Sequence, residues 1–335
     1  MDVGKPKKIQ ENNRGVSVII CCFNSTDRLP ATLTHLAHQH VPGNLPWEIL
    51  LVDNASTDQT AELAVNLWRE LAPGNDILRI VAEPRPGQLY ARISGARLAK
   101  YDLLVFCDDD NWLGSNYISA CSEIMQENKQ IGAAGGQNAP ATNADQYPDW
   151  FETYKDKYAL GAPSDRSGDV TPRGFVLGAG MLTWKALFLD MYQKKYPSLL
   201  KGRKGEDLST GDDFEYCKRL MLRGWRLYYE ENLKLIHFIP RERLTIAYRE
   251  RLMKGIFDAG LVLNEYDLAI RVHNRYKGKS RIRLLLLTPF RILFVRMGLM
   301  NRVLIDEQLT LYYLSPFNSN KNTVRKKIKD FIYGR

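Results

Sequence analysis

The chain has 335 residues, of which 44% are hydrophobic and 25% charged, and these proportions exclude a disordered or fibrous protein. Such a length predicts a main domain of roughly 230–260 residues with an appendage. The formal net charge of +9 predicts a polyanionic neighbour, which can be nucleic acid, an anionic membrane surface or a phosphorylated substrate.

The first part of the chain alternates between strand and helix patterns. Short apolar runs rich in β-branched residues predict strands that are buried on both faces. Between them, apolar residues at helical spacing follow polar residues that can cap a helix. The strand runs are VSVIICCF, WEILLVD, DILRIVAEP and YDLLVFC, and the helical segments are LPATLTHLAHQH, QTAELAVNLWRELA and GQLYARISGARLAK.

This alternation is typical of a largely parallel sheet with helices on both faces. In such sheets ligands bind where the strands end, at their carboxyl edge. The polar clusters CCFNS, VDNASTD and CDDDN all fall at such ends. One edge of the sheet is therefore predicted to collect the functional residues.

Beyond residue 131 the pattern is mixed. The segment YPDWFETYKDKYAL predicts a helix, and RGFVLGAGMLTWKALFL predicts a strand, a tight turn and the start of a helix. The segment STGDDFEYCKRLMLRGWRLYYEENLKLIHF predicts an acidic turn, a helix that ends at Gly224 and a strand that ends at His237. The last hundred residues are predicted to be helical and basic.

The cysteines and the N-terminus bear on the cellular compartment. Cys21, Cys22, Cys107, Cys121 and Cys217 have no CxxC spacing, so buried free thiols are predicted rather than a zinc site or a redox pair. The polar N-terminus predicts no secretory signal. No uncharged run approaches the roughly 20 apolar residues that a membrane span requires.

Three consecutive carboxylates, Asp108, Asp109 and Asp110, end one of the apolar strands. They repel one another unless a cation lies among them, although a solvated surface turn is an alternative interpretation. Strand alternation can direct Asp108 and Asp110 to one point. That arrangement suits Mg²⁺ or Mn²⁺, which prefer oxygen ligands and often complete their shell with substrate phosphates.

Five motifs follow one another over about residues 14–240. They are VSVIICCFN, EILLVDNASTDQT, GQLYARISGARLAKYDLLVFCDDDNWL, LGAGMLTWKAL and TGDDFEYCKRLMLRGWRLYYEENLKLIH. In this order they resemble the family 2 glycosyltransferases, which are inverting enzymes that use nucleotide sugars. The resemblance implies an α/β GT-A fold, a Rossmann-like, mostly parallel sheet with helices on both faces.

The predicted domain organisation follows from this resemblance. A polar lead-in, 1–14, precedes a catalytic domain, 15–240. Within that domain, 15–112 is the nucleotide-binding half and 113–240 the acceptor-side half. A helical, basic C-terminal region covers 241–335.

The resemblance also implies which residues bind the nucleotide sugar. Phe23 can stack on the base, although an aromatic residue at a strand end can equally belong to the core. Asp53 matches the carboxylate that accepts the N3 hydrogen of uracil, and Asn54 stands where the family often has a second Asp. Arg92 matches an arginine that faces the nucleotide, with a surface salt bridge as the alternative. The full set is Cys21, Phe23, Asn24, Asp53, Arg92, Asp108, Asp109 and Gly180.

Catalytic and metal-binding residues are assigned in the same way. Asp212 and Asp213 open a helix, where acidic residues commonly stabilise the N-terminus by ~0.3–1 kcal/mol. The resemblance makes Asp213 the general base, with Asp212 as its neighbour or the alternative base, because mutual repulsion raises one of their pKa values. Glu215 is a third candidate. The metal ligands implied are Asp110, Asp108 and His237, although a lone His after an apolar run can be structural.

The function implied is transfer of a sugar, with inversion, from a nucleotide-diphosphate sugar, expected to be UDP-linked. The acceptor is expected to be a hydroxyl of a saccharide or of a lipid-linked saccharide in bacterial envelope polysaccharide or glycan biosynthesis. The expected cofactor is Mn²⁺ or Mg²⁺. An inactive GT-A scaffold in a polysaccharide assembly is an alternative. A nucleotidylyltransferase is another, but its Gly-rich phosphate loop is absent from CCFNSTD, and a nucleic-acid-binding module would require basic residues interleaved with aromatic ones.

The C-terminal region suggests where the protein acts. Residues 281–300 mix apolar runs with four arginines and Pro289, which predicts a helix lying on a bilayer rather than crossing it. Packing of the same Leu/Phe stripe on the catalytic domain, or on a second subunit in a homodimer, is the alternative. The basic segment NTVRKKIKDFIYGR is of the kind attracted to anionic lipid. We therefore expect a cytoplasmic enzyme held peripherally on the inner face of a bacterial membrane, with a polyprenyl-linked glycan as its acceptor.

Overall fold

The structure is a computed structural model that describes residues 13–203, 208–276, 278–300, 304–315 and 322–334. Most of the predicted lead-in, 1–14, therefore lies outside the described residues. Within these ranges nine strands form one sheet. The strands are β1 (Val16–Cys22), β2 (Trp47–Asp53), β3 (Leu78–Ala82), β4 (Leu103–Asp108), β5 (Asn111–Leu113), β6 (Ile131–Ala141), β7 (Gly168–Asp169), β8 (Leu182–Trp184) and β9 (Arg226–Phe238).

Eleven α-helices are found in the same ranges. They are α1 (Leu29–Ala37), α2 (Thr60–Leu71), α3 (Gln88–Leu98), α4 (Tyr117–Glu127), α5 (Phe151–Tyr154), α6 (Lys185–Met191), α7 (Asp212–Leu222), α8 (Ile246–Tyr276), α9 (Arg281–Arg296), α10 (Leu304–Leu314) and α11 (Thr323–Tyr333). Short 3₁₀ turns occur at Lys155–Tyr158, Thr171–Arg173 and Arg241–Leu244.

The sheet has the order β3-β2-β1-β4-β8-β6-β9-β5, with β7 paired to β9. Strands β3, β2, β1 and β4 are parallel, as the βα alternation predicts. Cys22 is in register with Asp53, and Cys21 with Asp108. The predicted collection of polar residues at one edge of the sheet is therefore confirmed for this half.

The other half of the sheet is mixed rather than mostly parallel. Strand β8 runs antiparallel to both β4 and β6, and β5 and β7 run antiparallel to β9. The Gly/Ala-rich segment IGAAGGQNA, for which the sequence analysis predicts no element, forms most of strand β6. Its pairing with β9 is irregular near Gly136, where a Cβ would collide with the backbone of Leu233. Glycine there permits the close approach of the two strands.

Two local predictions differ from the structure. The segment before Gly178 was predicted to be a strand, but residues 174–181 form a loop and β8 follows it. The helix predicted over YPDWFETYKDKYAL is reduced to α5 and one 3₁₀ turn. Aromatic packing shapes this segment, because Phe151 and Tyr158 belong to a small separate core with Tyr248 of α8.

The C-terminal region is helical in its described parts, as predicted. Helix α8 packs on α7, helices α10 and α11 pack on α8, and α9 packs on α10. Tyr266, Ala269 and Ile270 of α8 belong to the same buried core as the sheet. The region is therefore joined to the sheet by a continuous core.

Two further sequence predictions can be compared with the structure. All five cysteines are unpaired and four are buried, which confirms the prediction of free thiols. In the described stretches, no helix has both the length and the apolarity that a bilayer crossing demands.

Candidate active site

A cavity of about 950 Å³ lies at the carboxyl ends of β1 and β4. The start of α7 and one face of α8 also line it, so its wall combines the polar edge of the sheet with apolar residues such as Leu252 and Ile256. Ten of the predicted site residues line this cavity. They are Cys21, Phe23, Asn24, Arg92, Asp108, Asp109, Asp110, Asp212, Asp213 and His237.

Each of the three consecutive carboxylates forms an ion pair with a different arginine. The arginines come from α3, from the loop before α1 and from the turn after β9. Three guanidinium groups thus offset the repulsion among the carboxylates, and the interpretation as a solvated surface turn is wrong. The pairs are Asp108 with Arg92 at 3.4 Å, Asp109 with Arg28 at 2.6 Å and Asp110 with Arg243 at 2.7 Å.

Asp109 connects β4 to the loop that follows β1. Its carboxylate accepts hydrogen bonds from Ser25 Oγ and Arg28, and its carbonyl oxygen accepts one from Thr32 Oγ1 at 2.9 Å. The side chain is buried. These contacts give Asp109 a positioning role for the β1–α1 loop, and its contact with a nucleotide sugar stays a prediction.

Arg92 joins two predicted parts of the site. It is buried, and it donates to Asp108 Oδ1 at 3.4 Å and to Asp212 Oδ2 at 3.1 Å. Gln88, one turn earlier on α3, also donates to Asp108 Oδ1 at 2.8 Å. The alternative of a surface salt bridge is wrong for Arg92, because the guanidinium lies between two carboxylates in the wall of the cavity.

Asp213 is held at the edge of the cavity by two backbone N–H groups. Gly178 N donates to Oδ2 at 2.9 Å, and Phe214 N donates to Oδ1 at 2.9 Å. Burial and the neighbouring charge of Asp212 raise the pKa of Asp213 to about 6. Oδ1 thus accepts a hydrogen bond from a backbone N–H group in the first turn of α7. The carboxyl group as a whole has the pKa of a base that works near neutral pH.

Asp212 has a different environment from its neighbour. Burial raises its pKa, and the charge of Arg92 opposes that rise. Because its Oδ2 is engaged by Arg92, Asp212 is less free than Asp213 to receive a proton from a substrate. Asp212 is thus paired with an arginine and Asp213 with backbone N–H groups only, and the choice of Asp213 as the base stays a prediction.

The loop after β1 presents Phe23 and Asn24 to the cavity. The ring of Phe23 is 40% exposed, so the interpretation as a core residue is wrong. Asn24 has a φ of +48°, a region that Asn tolerates better than most residues. Its Oδ1 accepts a hydrogen bond from Thr57 N at 2.8 Å, which links this loop to the loop after β2.

Among the described residues, Asp53 and Gly180 are outside the lining of the cavity. Asp53 ends β2, and its Oδ1 accepts a hydrogen bond from Ser56 N at 3.1 Å. Gly180 has a φ of +73°, and a Cβ there would meet Tyr117. The glycine that lines the cavity is Gly178, where a Cβ would lie 2.8 Å from Asp213 Oδ2.

Asn54 lines the cavity and has a structural role. Its Oδ1 accepts a hydrogen bond from Gly87 N at 2.7 Å, and its Nδ2 donates to the carbonyl oxygens of Glu83 and Arg85 at 3.0 and 2.7 Å. These bonds hold the loop that leads into α3. An aspartate could accept the first bond but could not donate the other two.

The predicted metal ligands can be tested against the geometry. Across the described ranges, no group of three or more His, Cys, Asp or Glu side chains is arranged to hold a metal ion. The carbonyl oxygen of Tyr158 lies 2.9 Å from His237 Nδ1 and can only accept, so Nδ1 carries a proton. His237 Nε2 then faces Asp110 Oδ1 at 3.6 Å. A ring nitrogen fixed in this way next to a carboxylate suits a divalent ion that takes its other ligands from a substrate.

The charge on Asp110 is well stabilised. Burial alone would raise its pKa, but His237 and Arg243 outweigh burial and hold the pKa well below its usual value. Arg243 donates to Oδ2, and Asn111 Nδ2 donates to Oδ1 at 3.0 Å. The carboxylate oxygens of Asp110 and the Nε2 atom of His237 are therefore of the types that bind a divalent metal ion, and Arg243 already donates to one of these oxygens.

The sequence profile described as glycosyl transferase family 2 matches residues 17–170, which run from the second residue of β1 through β7 and include the three carboxylates. Over these residues the chain is similar to glycosyl transferase family 2, the family that the sequence motifs indicated. Poly-beta-1,6-N-acetyl-D-glucosamine synthase of Staphylococcus aureus (strain MSSA476) is 23% identical over 248 residues, which are 74% of this chain and 55% of that protein. The chain thus spans little more than half the length of this relative.

Solved structures show which fold this chain has. S. aureus TarS superimposes with a TM-score of 0.51 at 15% identity, over 95% of this chain and 54% of that chain. GalNAc-T7, in a crystal structure with UDP, GalNAc and Mn²⁺, superimposes with a TM-score of 0.51 at 16% identity, over 69% of this chain and 45% of that chain. The GT-A fold predicted from the sequence is confirmed.

The candidate site contains residues that the sequence did not indicate. Arg28 and Arg243 belong to none of the sequence motifs. Arg28 is 81 positions from its partner Asp109, and Arg243 is 133 positions from its partner Asp110. Phe175 and Phe214 line the cavity beside Asp213 with ring centroids 4.2 Å apart. A basic segment directly after the strand that ends at His237 was the one available signal for Arg243.

Proposed function

We propose that this family 2 transferase moves a sugar from a UDP-sugar to a hydroxyl of a saccharide or lipid-linked saccharide, with inversion at the anomeric carbon. One observation carries the proposal. A single cavity contains Asp213, whose pKa is raised to about 6, together with Asp108 and Asp110, and Arg92 links Asp108 to Asp212 in its wall.

The donor nucleotide is assigned to the edge of the sheet formed by β1 and β2. The exposed ring of Phe23 offers a surface on which a base can stack. Cys21, Asn24 and the neighbouring carboxylate of Asp53 are proposed to surround the base. The crystal structure of GalNAc-T7 contains UDP, GalNAc and Mn²⁺, and this supports the choice of UDP and of Mn²⁺.

The diphosphate is assigned to the carboxylate and arginine cluster. Asp110 and His237, with Asp108 beside them, would hold a divalent metal ion, which when bound supplies positive charge to the diphosphate leaving group. Arg92 contributes a permanent positive charge next to Asp108. Because negative charge grows on the diphosphate as the glycosidic bond breaks, a fixed cation there stabilises the transition state more than the ground state.

Asp213 is proposed to act as the general base. It takes the proton from the acceptor hydroxyl as that oxygen attacks the anomeric carbon, and the bond from this carbon to the diphosphate oxygen breaks. Attack from the face opposite the leaving group inverts the configuration. Gly178 N and Phe214 N hold the carboxylate in place through the two bonds described above.

The acceptor is assigned to the side of the cavity formed by the start of α7. The rings of Phe175 and Phe214 are in contact there, and Arg173 lies 4.7 Å from the ring centroid of Phe175. Flat aromatic surfaces and an arginine can bind the mixed apolar and polar faces of a sugar ring. Relatives that synthesise bacterial polysaccharide support a role in envelope glycan synthesis.

A panel of nucleotide sugars tests this proposal by thermal shift, with and without Mn²⁺. We expect a UDP-sugar to raise the melting temperature, and Mn²⁺ to enlarge the rise. The Asp213→Asn variant should show the same shift but transfer sugar to a saccharide acceptor about 10²–10⁴-fold more slowly, because its change affects the base and not the donor. If no nucleotide sugar stabilises the wild-type protein under either condition, the donor assignment is wrong.

A further inference from the structure

Helix α9 exposes a row of large apolar side chains on one face. Ile282, Leu286, Phe290, Leu293 and Met297 follow one another at intervals of three or four residues, so they lie along one side of the helix. Between 51% and 73% of each side chain is exposed. We refer to these five residues as the α9 apolar face.

The other side of the same helix is packed. Leu284 and Thr288 are buried, and α9 packs against α10. Thr288 Oγ1 donates to the carbonyl oxygen of Leu284, one turn earlier on the helix, at 2.7 Å. The helix is therefore anchored to the protein through one side. The prediction that the Leu/Phe stripe packs on the catalytic domain is wrong for the α9 apolar face.

A continuous apolar row of this size on a folded protein marks a docking surface. The charges around it indicate what docks. Arg283 and Arg296 are exposed near the two ends of the helix. Residues 271–335 contain 15 Lys and Arg against 3 Asp and Glu, so the whole region carries a strong positive charge.

We propose that the α9 apolar face inserts into the interfacial region of an anionic lipid bilayer, with the flanking arginines on lipid phosphates. A helix with an apolar face, basic flanks and no capacity to span is the type that lies in a membrane interface. Arginine side chains at its ends can extend to the phosphate level while their apolar stems stay with the lipid.

A second copy of the chain fits this face less well. Two antiparallel α9 helices packed face to face would bring Arg283 of one copy toward Arg296 of the other. Like charges in contact oppose such a pairing, whereas anionic headgroups neutralise both arginines. The charge pattern thus favours lipid over self-association.

Vesicle flotation of the full chain, without nucleotide or acceptor, tests the proposal independently of the transferase reaction. Vesicles of phosphatidylcholine alone are compared with vesicles that also contain phosphatidylglycerol. We expect binding to the anionic vesicles and a loss of at least about tenfold in partitioning for Leu286→Glu combined with Phe290→Glu. Both positions are exposed, so the melting temperature should not change. The control is Leu98→Glu, an exposed apolar residue on α3, which should bind like the wild type.

The role of charge is tested by Arg283→Gln combined with Arg296→Gln. This variant should lose binding to the anionic vesicles in proportion to their phosphatidylglycerol content. Failure of the wild type to float with either vesicle would overturn the proposal, as would equal flotation of the Leu286→Glu, Phe290→Glu variant. Light scattering gives a third decisive outcome. If the wild type is a dimer that does not bind vesicles, and the Leu286→Glu, Phe290→Glu variant is a monomer, the α9 apolar face binds a second copy of the chain.

Discussion

Arg243 donates a hydrogen bond to Oδ2 of Asp110 at 2.7 Å, although the two residues are 133 positions apart. Arg243 lies in the turn that connects the last strand of the sheet to α8, so this bond ties the C-terminal helices to the carboxylate cluster. The guanidinium takes up one acceptor site of this carboxylate, and its positive charge repels a divalent ion that approaches Asp110. The side chain of Arg243 is therefore expected to compete with a divalent ion for Asp110.

Removing this competitor should strengthen metal binding. A hydrogen bond to a charged group contributes about 1.5–3 kcal/mol, so Arg243→Gln should tighten Mn²⁺ binding by roughly tenfold to a hundredfold. Isothermal titration with Mn²⁺ alone, without nucleotide, measures this directly. Arg241→Gln is the matched control, because Arg241 is exposed and donates to the carbonyl oxygen of Asn143 at 2.9 Å. Unchanged or weaker Mn²⁺ binding in Arg243→Gln would contradict the competition.

The pH dependence of activity should report the ionisation of Asp213. A general base works in its deprotonated form, and burial together with Asp212 raises the pKa of Asp213 to about 6. The value of kcat/KM should therefore fall about tenfold for each pH unit below about pH 6 and level off above it. Initial rates over a range of pH, at saturating metal, give this profile.

Variants of the two neighbouring carboxylates separate their roles. Asp213→Asn should lose about 10²–10⁴-fold in activity, and its kcat/KM should show no fall near this pH. Asp212→Asn removes a negative charge that raises the pKa of Asp213, so the fall of kcat/KM should begin at a lower pH while activity persists. If Asp212→Asn were inactive and the kcat/KM of Asp213→Asn still fell below about pH 6, the base would be Asp212.

The sequence was informative where the chemistry is local. Strands followed by polar turns predicted the parallel half of the sheet and the position of Asp108, because each strand and its turn are contiguous. The partners Arg28 and Arg243 could not be predicted, since nothing in their own segments specifies a contact more than 80 positions away. Strand β6 was missed because its Gly-rich sequence lacks the β-branched pattern, and its close approach to β9 requires small residues.

Gly178 and Gly180 should respond differently to the same substitution. In Gly178→Ala the new Cβ would lie 2.8 Å from Asp213 Oδ2 and 3.0 Å from Asp213 Cβ, so the base must shift. A displacement of about 1 Å can cost roughly a hundredfold in rate, and we expect a loss of that order in kcat with a nearly unchanged melting temperature. In Gly180→Ala the strained φ and the contact with Tyr117 should instead reduce stability by about 1–3 kcal/mol.

Gly43→Ala provides the control for both variants, because its Cβ would meet nothing within 4 Å. It should keep wild-type activity and stability. Rate measurements and urea denaturation on the three variants distinguish the two effects. A Gly178→Ala protein with full activity would show that Asp213 is not held by this contact.

A buried ion pair lies on α7, the helix whose first turn carries Asp213, outside the lining of the cavity. Arg219 is fully enclosed and donates to Glu215 Oε1 at 2.7 Å. It also donates to the carbonyl oxygens of Met191, Tyr196 and Pro197 at 2.6, 2.9 and 2.7 Å. Glu215, a third candidate for the base on sequence alone, is committed to this network and does not line the cavity that the structure describes.

Replacing Arg219 should therefore destabilise the fold. Arg219→Met leaves Glu215 as a buried charge without its cation, and losses of about 3–5 kcal/mol are usual in such cases. The control is Arg226→Met, since Arg226 forms an exposed pair with Asp169 at 3.5 Å and such pairs contribute about 0–1 kcal/mol. Urea denaturation of both variants measures the difference, and equal losses would mean that the Arg219 network is not the stabilising element. The double variant Arg219→Met with Glu215→Leu should recover part of the loss, because it removes the charge that the single variant leaves unpaired.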